Sequence, residues 1–250
     1  MYSYASAVDP LGVIGVAIGL IGLVFAVRAE VQLHRNKEHL RLMQKEMSTK
    51  ELSGGFPKNL VSITELVRIA DADEFMVMAD ICGYALFSEP ADSAAYVEEL
   101  IRASERGVQV RILVYSHDAA QRSMRRQIPK EKYYDEVRGS KAFKHYTAYY
   151  KLPEEMEYEE FIKSALDRER RIRKSLSHAG IECRPLPQML PAFVWLSASP
   201  AVAIFALRND EGTLAGLSFR TEAPGLLSEF RAVFDREWLS SEEAGISATW

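Results

Sequence analysis

Residues 11–27 read LGVIGVAIGLIGLVFAV, an apolar run with no charged or strongly polar side chain. At about 1.5 Å per residue a helix of this length spans roughly 26 Å, close to the thickness of a bilayer core. A cleaved signal peptide is the competing reading, and it requires a basic leading region and a small-residue cleavage site. The first ten residues carry only Asp9, and a charged stretch follows Val27 directly. The run is therefore expected to remain as a single transmembrane anchor. No Lys or Arg precedes it, whereas Arg28, Arg35, Lys37, Arg41, Lys45 and Lys50 follow. The positive-inside rule then predicts a cell-membrane protein with its N-terminus outside and its C-terminal domain cytoplasmic.

Gly12, Gly15, Gly19 and Gly22 share one helix face, and the same spacing continues through Ala26, Ala29, Leu33, Asn36, Leu40, Met43 and Met47. Small residues let helix backbones approach closely in lipid, and an a/d stripe broken by one Asn is how coiled coils hold register. The pattern predicts a stalk that self-associates as a homodimer or higher homo-oligomer. A monomeric helix resting its stripe on lipid, or on its own domain, is the competing reading. Ser53-Gly54-Gly55-Phe56-Pro57 then breaks any helix. The expected organisation is an anchor over 1–27, a helical stalk and linker over 28–57, and a soluble domain over 58–250.

Apolar residues make up 48% of the 250 and charged residues 26%, which suits one globular domain beyond the anchor. The net charge of −4 argues against a protein that coats nucleic acid. Cys82 and Cys183 lie far apart without metal-ligand spacing, so no disulfide framework, metal or cofactor is expected. Ser62 and Glu65 are spaced as a capping box opening a helix with Ile63, Leu66, Val67 and Ala70 on one face. Residues 74–81 suit a buried strand. Residues 91–106 suit an amphipathic helix with Tyr96, Val97, Leu100, Ile101 and Ala103 inward, ended by Gly107. Residues 108–115 (VQVRILVY) form the clearest strand. Helix, strand, helix, strand with short joints predicts an α/β fold with a largely parallel sheet.

Residues 69–115 resemble the opening half of a phospholipase D superfamily domain. The pattern is carried by Ala103, Gly107, Val108, Val110, Arg111, Ile112 and Leu113. Residues 201–207 and 214–219 are similar to that family's paired central strands. Phe230, Phe234 and Trp238 match its closing helix, over residues 224–239. The resemblance implies a mixed sheet with helices on both faces. It also locates a departure. Family members attack phosphorus with the histidine of His-x-Lys-x-x-x-x-Asp, and the lysine neutralises the developing charge. With Asn209 or Asp210 in the acidic place, the nucleophile slot holds Val202 or Ala203 and the lysine slot Ile204 or Phe205. No hydrocarbon side chain attacks phosphorus, so no catalytic residue is assigned.

Residues 116–180 exceed the family's minimum and read as a helical insertion. Between Asp118 and Lys174 there are 15 Lys and Arg against 11 acids, a local +4 within a chain of −4. Arg122, Arg125, Arg126, Lys130 and Lys132 are candidates to meet phosphates of anionic lipid or a nucleotide. Basic residues interleaved with Tyr133, Tyr134, Phe143, Tyr146, Tyr149 and Tyr150 also suit single-stranded nucleic acid. The packing reading is stronger for Phe143, Tyr146 and Tyr150, which have helical spacing. A helix over 153–176 is acidic at its start and basic at its end (Arg168, Arg170, Arg171, Arg173, Lys174), as the helix dipole favours. Phe161, Ala165, Ile172 and Leu176 would be its buried stripe. Asp80, Tyr84, His117, Asp118, Ser218 and Arg220 sit at strand ends, where parallel-sheet pockets form.

Three functions compete on these residues. The favoured one is a membrane-anchored, non-catalytic sensor, scaffold or regulatory protein that binds a partner or a phosphate-containing ligand. The others are a phosphodiesterase (nuclease or lipid hydrolase) using a nonstandard residue such as His117, and an effector that perturbs the membrane on clustering.

Overall fold

The computed structural model describes residues 49–52, 58–71, 73–83, 89–186, 189–208 and 214–243. The apolar run over 11–27, the glycine seam, Leu33, Asn36, Leu40, Met43 and Tyr84 lie outside the described residues. Among the described residues no helix is long and apolar enough to cross a membrane.

The elements in chain order are β1 (Thr49–Glu51), α1 (Leu60–Ile69), β2 (Glu74–Ala79), α2 (Pro90–Glu105), β3 (Gln109–Tyr115) and α3 (His117–Gln127). A short helical turn, Lys130–Lys132, widens into a π-helical turn, Tyr133–Val137. Then follow α4 (Lys141–Tyr150), α5 (Tyr158–His178), β4 (Glu182–Leu186), β5 (Ala192–Ser197), β6 (Val202–Arg208), β7 (Leu214–Thr221) and α6 (Pro224–Glu243). The strands form one seven-stranded mixed sheet in the order β1-β7-β6-β5-β2-β3-β4. β2, β3 and β4 run parallel, whereas β2–β5, β5–β6, β6–β7 and β1–β7 pair antiparallel.

Register assigns the faces. Val77, Trp195 and Ile204 are lateral neighbours, and Trp195 Nε1 donates to the Tyr96 hydroxyl of α2 at 3.0 Å. Met76 and Arg111 are neighbours on the opposite face, where Arg111 lies over Phe234 and Trp238 of α6 at 4.9 and 5.1 Å. Arg184 covers the Trp238 ring at 4.2 Å. Helices therefore cover both faces of a mixed sheet, as expected.

Four expectations need correction. Ser62 does not open α1: the helix begins at Leu60, behind Asn59, because Leu60 and Ile63 are both needed in the core. Glu65 pairs with Arg68 instead, at 2.5 Å. Thr49–Glu51, expected in the linker, forms an edge strand on β7, with Thr49 Oγ1 donating to Thr221 Oγ1 at 2.8 Å. The sheet is not largely parallel: β2–β3 and β3–β4 run parallel and four pairs run antiparallel, with β5, buried along nearly its whole length, standing between β2 and the paired strands β6 and β7. α5 begins at Tyr158, five residues late, where Glu157 and Glu160 form a capping box. The packing reading is met for Phe143 and Tyr146, which are buried, while Tyr150 is half-buried; Tyr133 and Phe161 are buried as well, their rings stacked at 5.1 Å.

Candidate functional site

The parallel strands β2 and β3 end side by side, and a short segment, Asp80 to Gly83, leaves β2 across the C-terminal edge of the sheet. Such edges are where α/β sheets build ligand sites. Two successive backbone amides lie here, a concavity suited to an anion. It is already filled. Glu169, 1% exposed on α5, accepts from Cys82 N–H at 2.6 Å (Oε1) and Gly83 N–H at 3.1 Å (Oε2). Arg173 Nε donates to the same carboxylate at 2.9 Å, and its Nη2 donates to the Tyr115 carbonyl at the end of β3. One carboxylate thus ties the β2 loop, through Arg173, to the neighbouring strand. Gly83 permits this close approach, because a Cβ there would stand 2.5 Å from Ile172 Cδ1. Ser93 Oγ fixes the Gly83 carbonyl at 2.7 Å.

Asp80 is also buried and engaged. Its Oδ1 accepts from Ile81 N–H at 2.9 Å, and its Oδ2 from Gln127 Nε2 at 2.9 Å and Ser123 Oγ at 3.5 Å. His117 and Asp118 begin α3, half-buried and exposed respectively. Ser218 and Arg220 belong to β7, three strands from β2, which is about 14 Å at ordinary strand spacing. Ser218 accepts from Asn59 Nδ2 at 2.7 Å, and Arg220 meets Glu222 at 3.3 Å. The structure brings Asp80, His117 and Asp118 to one edge and leaves Ser218 and Arg220 elsewhere.

The basic group divides as well. Arg125 forms a two-point contact with Glu159 (2.9 and 2.6 Å), which pulls that carboxyl below its ordinary value. Arg126 Nη1 contacts Met189 Sδ at 3.3 Å. Arg122, Lys130 and Lys132 are exposed.

The strand expected to hold the attacking imidazole holds hydrocarbon: Val202, Ala203, Ile204 and Phe205 are buried. The inserted strand β5 changes nothing chemically, since residues 179–250 contain neither histidine nor lysine.

Cys82 and Cys183 face each other, Sγ to Sγ 4.0 Å, well beyond a disulfide bond. Burial, reinforced by Cys183, pushes the Cys82 thiol well up. A thiol reagent at pH 8 should label Cys183 and spare Cys82 until the fold is unfolded; equal labelling in the native state would contradict this packing. Because the folded value is raised, the stabilising contribution is complete below the pKa of an unfolded thiol, about 8.5, and is lost as pH rises beyond it.

No protein-family profile and no curated protein matches the chain. Among solved structures, it is similar to TrmBL2, an archaeal chromatin protein described as showing a novel mode of DNA binding. That likeness has 14% identity and a TM-score of 0.43, over 94% of this chain and 70% of TrmBL2. It is also similar to Nuc, a phospholipase D family member from Salmonella typhimurium, with 12% identity and a TM-score of 0.40. Here 76% of this chain and 94% of Nuc are covered.

Proposed function

We propose that the chain is a phospholipase D-like module without phosphodiesterase activity, tethered at the cytoplasmic face of a membrane by residues 11–27, that acts by binding. The observation that carries this reading is the chemistry of β5, β6 and β7, which offer no imidazole to attack phosphorus and no ammonium to receive its charge. The anion-sized gap at the end of β2 supports it too, because Glu169 already occupies both amides.

The test uses the full chain extracted from membranes in detergent. It should sediment with membranes until detergent is added. It should then leave bis(p-nitrophenyl) phosphate, phosphatidylcholine and DNA unhydrolysed. Turnover that disappears in His117→Ala would establish the competing phosphodiesterase. Recovery of the chain in the soluble fraction without detergent would remove the tether.

A further inference from the structure

A groove of about 380 Å³ runs between α2, α4 and α5, next to the loop that ends at Gly83. Its volume is in the range of small-molecule sites. Val97 and Ile101 of α2 and Ile172 of α5 line it with hydrocarbon, and the half-exposed ring of Tyr149 lies at its side. Arg168 also lines it, yet Arg168 is only 5% exposed. Its Nη1 donates to the Tyr150 hydroxyl at 3.1 Å, and the guanidinium lies over the Tyr146 and Tyr150 rings at 5.6 and 5.2 Å. Its Nε has no hydrogen-bond partner.

Among the described residues no carboxylate pairs with Arg168. Its neighbours are committed elsewhere, Asp167 to Arg170 at 3.7 Å and Glu169 to Arg173 at 2.9 Å. Glu98 also lines the groove and is held by Arg102 at 2.6 Å. A second cation, the exposed Arg171, completes the lining. A buried cation without a counter-charge is costly, and ring contacts return only part of that cost. A guanidinium receives a carboxylate or phosphate with short, charge-assisted hydrogen bonds, and the hydrocarbon walls would receive an apolar body.

We propose that this groove binds a small amphipathic anion, a carboxylate or phosphate monoester with an aromatic or aliphatic body, whose charge seats on Arg168. The site goes beyond the reading above and stands whether or not the chain hydrolyses phosphodiesters.

The probes are naphthalene-2-carboxylate and decanoate, each against its neutral amide, titrated calorimetrically into the full chain in lipid nanodiscs, with empty nanodiscs as reference. At least one carboxylate should bind, and its amide should bind about tenfold more weakly or worse. Comparison of the two carboxylates separates ring-bodied from chain-bodied ligands. Arg168→Met should weaken binding by about tenfold or more. Because Arg168 is buried, Ala94→Trp, which fills the groove from the exposed side of α2, and Arg171→Gln serve as independent variants. Both should reduce affinity with the thermal transition preserved. No heat above empty nanodiscs, an amide binding as tightly as its acid, or unchanged affinity in Ala94→Trp would overturn the proposal.

Discussion

Replacing Glu169 by alanine should destabilise the domain by about 3–5 kcal/mol, the usual cost of removing one partner from a buried ion pair. For a domain of this size that is a fall in Tm on the order of 10 °C. The carboxylate is fully enclosed and accepts from two loop amides and from Arg173. Its loss strands all three donors in a buried site, which is why the effect exceeds that of an ordinary surface pair. Glu169→Gln keeps the volume but presents an NH2 group to an array of donors, so it should fall between the two. Arg173→Ala removes the same interaction from the other side, and the double variant should lose less than the sum of the single losses. Thermal denaturation of the parent and the four variants provides the measurement. A loss below about 1 kcal/mol in Glu169→Ala, the range of an exposed pair, would show that the loop after β2 is not held in this way.

How much of this was legible in sequence depends on the range of the interaction. α2 and β3 fall within a residue of their expected bounds, because helical periodicity, alternation and a terminating glycine are local signals. Gly107, with φ of 91°, is where the chain needs that freedom. β5 escaped because AFVWLS is buried on nearly every residue, and a strand covered on both sides loses its period of two. Glu169 was hidden in the run DRERRIRK, 86 and 87 positions from the amides it holds. A clue existed. The stripe Phe161, Ala165, Ile172, Leu176 skips one turn, and the positions that fill it are Arg168 and Glu169. The helix dipole accounts for the basic end of the run but not for Arg168 and Glu169, which helical geometry turns inward. The candidate pocket residues divide between two parts of the sheet for the related reason that strand order cannot be read from local pattern. Placing β5 between β2 and β6 carries Ser218 and Arg220 away from Asp80.

The second large effect concerns the insertion, which the sequence presents as an appendage and the packing makes part of the core. Tyr133, in the π-helical turn, is fully buried. Its ring meets Tyr134, Phe143, Tyr158 and Phe161 at 5.1 to 5.7 Å between centroids. Its hydroxyl donates to the Met156 carbonyl at 2.7 Å. Tyr133→Ala should therefore cost about 3–5 kcal/mol, the range for emptying a buried aromatic site. Tyr133→Phe keeps the ring contacts and leaves one carbonyl without its donor, so it should cost only about 1 kcal/mol. The two variants separate packing from hydrogen bonding at one position. Burial pushes this phenol up to about 12, so its contribution is complete below the pKa of an unfolded tyrosine, about 10, and fades as pH rises from there. Tyr133→Phe should accordingly blunt the alkaline loss of stability. If denaturant titration instead gives Tyr133→Ala the small cost of a surface change, with two separate transitions in the parent protein, the insertion folds apart from the sheet. A single transition that shifts as a whole would establish that residues 116–180 and the strands are stabilised together.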